Sequence, residues 1–120
     1  MAIEVRPMTT TSSSSSSGES LDIIEITPLM AQAWLERMRF PNQRPVRERH
    51  VEFLASEITH GRFRLSAIDI RELDGQDYLV NGQHRLHAVV RANATIQMVV
   101  VRRRATSFEE VARDYATFDR

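Results

Sequence analysis

Two tight-turn signals between short apolar runs constrain the fold of this chain more than any other feature. Asp74-Gly75 separates two apolar runs at residues 66–73 and 78–80, and an Asp-Gly pair in that setting is typical of a β-hairpin. The second run passes through Asn81-Gly82 directly into Gln83–Ala92, where apolar residues recur at helical spacing. We therefore expect a hairpin that is followed at once by a helix.

The segment upstream of the hairpin predicts one strand and two helices. Residues 22–26 are short, apolar and β-branched, which indicates a strand. Thr27-Pro28 has the pattern of an N-cap and a first helical residue. A second helix is expected over residues 46–60, ended by Gly61 in a left-handed conformation. The side chains expected in the core are Leu29, Met30, Ala33, Trp34, Met38, Val51, Phe53, Leu54, Ala55, Ile58 and Phe63.

The segment downstream predicts one more strand and one more helix. Residues 96–101 are almost all apolar, as in a buried strand. Ser107 and Glu110 have the spacing of a capping box for a helix that reaches about Tyr115. The predicted order is strand, two helices, hairpin, helix, strand, helix. We expect an α+β fold in which a small mixed β-sheet carries packed helices.

Composition limits the class of protein. Residues 1–20 contain a Thr/Ser tract that cannot bury enough apolar surface to order itself, so we expect a disordered tail and a folded domain over 21–120. The sequence has no cysteine, which excludes thiol catalysis and Cys-ligated metal sites. It has no apolar run of the ~20 residues that span a bilayer. We expect a cytoplasmic protein without a membrane partner.

The charge pattern is unusual. Net charge is zero, and all sixteen basic residues are arginine. Because acidic residues predominate before Pro28, the rest of the chain carries a positive excess. Arginine suits bidentate contact with phosphate, although a GC-rich genome also favours arginine codons.

The turn at Asn81-Gly82 predicts an anion site. The first amides of a helix have no partner within the helix and, together with the helix dipole, they favour phosphate. Glycine allows the tight turn and a close ligand approach. Arg85 lies in the first helical turn, where the dipole disfavours a cation by about 0.3–1 kcal/mol. Its counter-charge is therefore expected to be a bound anion or a carboxylate of the same domain.

A family resemblance rests on this motif. The run Asn81-Gly82-Gln83-His84-Arg85-Leu86-His87-Ala88 resembles the DGQHR or GERR signature of the ParB N-terminal/sulfiredoxin-like superfamily. Asn42-Gln43-Arg44-Pro45, His60-Gly61-Arg62-Phe63 and the hairpin follow the same layout upstream, and residues 115–120 are similar to phage and bacterial ParB-like proteins. The resemblance extends from about Ile23 to the C-terminus.

The resemblance implies a nucleotide pocket that takes CTP or ATP with Mg²⁺. The residues that it assigns to phosphate binding are Gly82, Gln83, His84 and Arg85, with Asn81 at the head of the motif and Arg44 as a further candidate.

Superfamily members include CTP-dependent DNA clamps, a sulfinic acid reductase, a free-serine kinase and nucleases. The reductase needs a cysteine in this motif, and none is present. Asn81 replaces the aspartate of DGQHR, and an amide cannot act as a carboxylate base. The clamps carry a helix-turn-helix domain after this one, and we expect none here.

Two other groups of residues are candidates for binding. Arg102, Arg103 and Arg104 follow the predicted last strand and could track a nucleic-acid backbone or form a solvated strand end. His84 and His87 lie three residues apart on one helix, and we expect surface or capping histidines rather than metal ligands.

Three functions follow. The first is a ParB-like nucleotide-binding domain of a phage or mobile element, linked to DNA transactions. The second is a catalytically silent interaction module, such as a phage-encoded inhibitor of a host protein complex. The third is a small nuclease. Whether the protein is an enzyme stays open at this point.

Overall fold

The computed structural model describes residues 19–41 and 43–118. The expected disordered tail therefore falls outside the described residues, apart from Glu19 and Ser20. The described part contains four helices and a four-stranded mixed sheet, which confirms the α+β class. The elements are β1 (Ser20–Ile26), α1 (Pro28–Arg37), α2 (Glu48–Thr59), β2 (Ala67–Leu73), β3 (Gln76–Asn81), α3 (Gln83–Ala92), β4 (Ile96–Arg104) and α4 (Phe108–Phe118).

The sheet brings together strands that are far apart in sequence. Its strand order is β1-β4-β2-β3. The outer pairs β1–β4 and β2–β3 are antiparallel, whereas β2 and β4 are parallel. Helix α3 joins the end of β3 to the start of β4, and β4 runs opposite to β3 and therefore parallel to β2. This arrangement places the end of β3 and the start of α3 at one side of the sheet.

Local signals in the sequence produce the expected turns and caps. The Thr27 hydroxyl accepts a hydrogen bond of 3.0 Å from the amide of Met30, and Pro28 is the first residue of α1. Asp74 and Gly75 have φ values of 52° and 82°, as a type I′ hairpin turn requires. Gly61 follows α2 with a φ of 72°. These predictions are confirmed.

The helices cover the two faces of the sheet unequally. Alternate strand residues such as Ile26, Ile70 and Met98 are buried against α1, α2 and α3. On the opposite face, α4 packs beside β3, where Val80 and Val111 form a second, smaller core. Because α4 contacts β3 in particular, it lies close to the turn at Asn81-Gly82. That placement lets α4 contribute to any site formed there.

Several predicted details are wrong. Leu29 is 82% exposed, because it lies roughly 200° around α1 from the buried Ala31. Phe53 is also exposed, since the buried side of α2 is formed by Val51, Ala55 and Ile58. Helix α2 begins at Glu48 rather than at residue 46, because Arg47 has the extended backbone of an N-cap residue, with φ −92° and ψ 103°.

Candidate functional site

A cavity of about 470 Å³ lies where β3 ends and α3 begins. Segments from five parts of the chain line it: the loop before α2, the first turns of α2, the loop between α2 and β2, the end of β3 with the start of α3, and the end of α4. Folding thus joins the motif to residues far away in sequence. All six residues assigned to nucleotide binding are among those that line the cavity, namely Arg44, Asn81, Gly82, Gln83, His84 and Arg85.

The charge of this cavity is one-sided. Among the described lining residues are three arginines, Arg44, Arg47 and Arg85, and two histidines, His50 and His84. The described part of the lining contains no aspartate or glutamate. In a chain with equal numbers of acidic and basic residues, such a cavity attracts anions and repels cations.

The N-cap residues of two helices line the same cavity. The N-cap of α3 is Gly82 and that of α2 is Arg47, and neither makes a side-chain capping hydrogen bond. Both residues line the cavity. Because the positive ends of two helix dipoles add to the arginine charges, the electrostatic case for an anion is stronger than the motif alone predicted.

Gly82 is required for packing as well as for the turn. Its φ is 113°, a conformation that side-chain-bearing residues rarely adopt. A Cβ at this position would lie 2.3 Å from Cδ1 of Ile68 in β2. Ile68 of the core thus fills the space that a side chain at position 82 would occupy. The sequence alone suggests the close approach of a ligand as the reason for Gly82, whereas the geometry explains it by the close approach of Ile68.

Arg85 and Asn81 point their side chains toward β2. Nη1 of Arg85 donates a 2.8 Å hydrogen bond to the carbonyl of Ala67, and Nδ2 of Asn81 donates a 2.7 Å bond to Asp69. Burial lowers the pKa of Arg85, and the nearby charge of Asp69 opposes that change. Arg85 therefore has both a carboxylate of its own domain nearby and a position on the cavity wall.

Asp69 was missed at the sequence level. It is 7% exposed and lies in β2 between the fully buried Ile68 and Ile70. An acidic residue inside an apolar run was the available signal, because a buried carboxylate needs partners. The partner amide of Asn81 lies opposite it on β3.

Gln83 and His84 contact the chain segment just before α2. The amide of Arg47 donates a 3.0 Å hydrogen bond to Nε2 of His84, and Nε2 of Gln83 donates a 3.3 Å bond to the carbonyl of Arg44. The rings of His84 and His50 meet edge-on with centroids 5.1 Å apart. Since Nε2 of His84 accepts a hydrogen bond, the proton of the neutral ring is on Nδ1.

A second cavity, of about 650 Å³, lies on the other side of that segment. Arg44, Pro45 and Gln83 line both cavities, and His87 lines the second. Burial lowers the pKa of His87, and the charge of Arg91 acts in the same direction while that of Glu48 opposes it.

The three consecutive arginines lie elsewhere. The prediction that they follow the last strand is wrong, because β4 continues to Arg104 through its parallel pairing with β2. Arg102 forms an ion pair of 2.5 Å with Asp77, and Arg103 one of 2.8 Å with Glu19. Two of the three charges are thus partly neutralised within the domain. None of the three arginines lines the cavity of about 470 Å³ at the start of α3, which we call the anion cavity.

The described residues contain no group of three or more His, Asp or Glu side chains that could hold a metal ion. Together with the lining just described, this does not fit a protein-bound magnesium ion, which prefers carboxylate and other oxygen ligands. None of the described helices is long and apolar enough to cross a membrane.

No family model matches the sequence, and no curated protein or solved structure matches it either. The resemblance to the ParB N-terminal/sulfiredoxin-like superfamily therefore stays a prediction.

Proposed function

We propose that this protein binds a nucleotide, CTP or ATP, through its phosphate groups in the cavity between β3, α2 and α3. The observation that carries the proposal is the lining itself: three arginines, two histidines and no described carboxylate at two helix N-termini. Phosphate is the anion that arginine and helix N-termini bind most readily. The resemblance of Asn81–Ala88 to the DGQHR and GERR signatures supports the same ligand class.

The cavity also has room for the rest of a nucleotide. Its volume of about 470 Å³ is within the range of small-molecule pockets, roughly 300–1,000 Å³. Leu54, Phe63 and Phe118 line it beside the arginines. An apolar wall next to a cationic wall suits a ligand with a flat base and a charged tail.

The proposal is one of binding rather than of chemistry. Asn81 replaces the aspartate of the DGQHR pattern, and its amide is engaged with Asp69. No described carboxylate lines the cavity to serve as a general base or to hold magnesium. A link to DNA transactions in a phage or mobile element belongs to the proposal through the resemblance alone.

Calorimetric titration with CTP and with ATP, each with magnesium and with a chelator, tests the proposal. We expect binding that weakens at least about tenfold in Arg47→Ala, since a lost charge-assisted hydrogen bond costs about 1.5–3 kcal/mol. Arg49→Ala is the matched control, because Arg49 lies in the same helical turn but not on the cavity wall. No binding by the wild type at millimolar nucleotide, or equal losses in both variants, would contradict the proposal.

A second candidate function is a protein-interaction module, such as an inhibitor of a host complex. An exposed apolar surface on the edge strand β1 supports this candidate, because Leu21 and Ile23 are 62% and 58% exposed. They pair with Val101 and Val99 on β4, which makes a small apolar patch. Capture of one defined host complex by the wild type and by Arg47→Ala, but not by Ile23→Asp, would favour this candidate.

The nuclease hypothesis is not supported by any group of metal-binding side chains among the described residues. Lack of magnesium-dependent DNA cleavage would contradict it.

A further inference from the structure

The segment of residues 44–47, which we call the bridging segment, separates the two cavities. Arg44 and Pro45 line both of them, and Arg47 lines the smaller one. The segment has no regular secondary structure, and Arg44, Pro45 and Arg47 are exposed. Because it lies outside any helix or strand, its position depends on contacts with its neighbours.

Three hydrogen bonds from side chains hold the bridging segment. The amide of Arg44 donates to the hydroxyl of Tyr115 at 2.7 Å. The carbonyl of Arg44 accepts from Gln83 at 3.3 Å, and the amide of Arg47 donates to His84 at 3.0 Å. The partners come from two helices, α3 and α4, that are far from the segment in sequence. Each bond is to the backbone, so it sets where the chain runs.

We propose that Gln83, His84 and Tyr115 are positioning residues, which fix the bridging segment so that Arg44 and Arg47 line the anion cavity. The consequence for ligand binding rests on the proposed function, whereas the fixing of the segment does not. In this assignment the Gln-His of the motif acts through the backbone of residues 44–47 instead of through direct contact with phosphate.

The bond to His84 depends on the protonation state of the His84 ring. Nε2 of His84 accepts from the Arg47 amide only while that nitrogen carries no proton. Protonation turns Nε2 into a donor that faces the Arg47 amide, another donor, so the bond forms only with the unprotonated ring. The other charged or titratable described groups around this cavity are Arg44 of the segment, Arg47 and His50 of α2, Arg85 of α3 and Tyr115 of α4.

Amide hydrogen exchange, followed by NMR without ligand, tests the fixing of the segment. After correction for the intrinsic pH dependence of exchange, protection of the Arg47 amide should be lower where the His84 ring is protonated than where it is neutral. In His84→Gln, whose side-chain oxygen can accept the same bond, protection should persist without that pH dependence. In His84→Ala protection should fall at every pH, about two- to tenfold, the range for one hydrogen bond. Tyr115→Phe should expose the Arg44 amide in the same way.

His60→Gln is the control, because His60 lies at the far end of α2, where it bonds to Ser56. The dispersion of the amide spectrum reports whether each variant folds, and Tyr115→Phe removes one oxygen only. Equal protection of the Arg47 amide in the wild type and in His84→Ala would overturn the proposal. So would equal corrected protection at all pH values in the wild type.

Binding of CTP or ATP then tests the consequence for the ligand. We expect Tyr115→Phe and His84→Ala to weaken binding about two- to tenfold, with His84→Gln close to the wild type at neutral pH. If His84→Ala and Tyr115→Phe bound as tightly as the wild type, the positioning role would be overturned. If the wild type bound no nucleotide, the proposed function would fall, whereas amide exchange alone would still decide whether these side chains hold the segment.

Discussion

Asn81 donates a 2.7 Å hydrogen bond from its side-chain amide to Oδ2 of Asp69. The two residues face each other across the β2–β3 pair, next to a β-bulge. Asp69 is almost fully buried, and a buried carboxylate oxygen without a hydrogen bond would destabilise the fold. The amide of Asn81 supplies that hydrogen bond. The amide that replaces the aspartate of the DGQHR pattern thus has a structural role of its own.

Asn81→Asp should destabilise the fold, because it places two carboxyl groups at hydrogen-bond distance. We expect the free energy of unfolding at pH 7 to fall by about 2 kcal/mol or more. Sharing a proton raises the pKa of the pair in the folded state, so the loss should be small near pH 4 and should grow as the pH rises. Denaturant unfolding at several pH values measures this.

The exchanged pair Asp69→Asn with Asn81→Asp is the control for that substitution. It keeps one amide and one carboxylate, so it should recover most of the lost stability. If the single Asn81→Asp variant were as stable as the wild type at pH 7, the contact between residues 69 and 81 would contribute nothing to the free energy of unfolding.

Gly82→Ala should be much more costly than Gly75→Ala. Both positions have positive φ, but a Cβ at Gly82 would lie 2.3 Å from Ile68, whereas one at Gly75 meets nothing within 4 Å. We expect a loss of roughly 3 kcal/mol at Gly82 from backbone strain and overpacking together, and about 1 kcal/mol at Gly75 from strain alone. Thermal unfolding compares the two. Adding Ile68→Val, which removes Cδ1, should restore part of the loss at Gly82 but none at Gly75.

Asp114→Asn should loosen α4. The guanidinium of Arg71, only 5% exposed, donates a 2.7 Å bond to the carboxylate of Asp114, and removal of the partner leaves a buried charge. Because Asp114 is itself 28% exposed, we expect a loss of about 1–3 kcal/mol rather than the full cost of a deeply buried pair. Glu57→Gln, which breaks the more exposed pair with Arg62, should cost less than about 1 kcal/mol. Equal losses in the two variants would argue against a special role for the α4 pair.

His87 should make the protein less stable in mild acid. Burial lowers its pKa in the folded state, so the unfolded chain binds a proton more readily as the pH falls through the ordinary histidine value of about 6.5. Stability from this residue is therefore present above that value and declines below it. In His87→Gln the unfolding free energy, measured by denaturant unfolding, should vary less between pH 7.5 and 5 than in the wild type. Equal variation in the two proteins would contradict this prediction.

Signals that act within a few residues were sufficient to predict much of this fold. The Asp74-Gly75 turn, the cap at Thr27 and helix α3 with Asn93 after it depend on local backbone preferences, and such preferences can be identified from neighbouring residues alone. The anion character of the turn at Asn81-Gly82 could also be predicted, because a helix N-terminus after a glycine attracts anions wherever it occurs.

Other features depend on contacts between distant residues, which local patterns do not specify. The extension of β4 to Arg104 required β2 as its parallel partner, and the exposure of Leu29 depended on which side of α1 met the sheet. Asp69 was missed because its partner Asn81 lies on another strand.

The sequence by itself determined the order of the elements, the turn types and the presence of an anion-attracting helix start, since short-range sterics and hydrogen bonding control all three. Only the tertiary structure decided that Arg44, Arg47 and Tyr115 meet that helix start. It also decided that Gln83 and His84 bond to the backbone before α2. These contacts bridge up to 71 residues, and they exist because packing of α2 and α4 around the sheet brings their ends to one place.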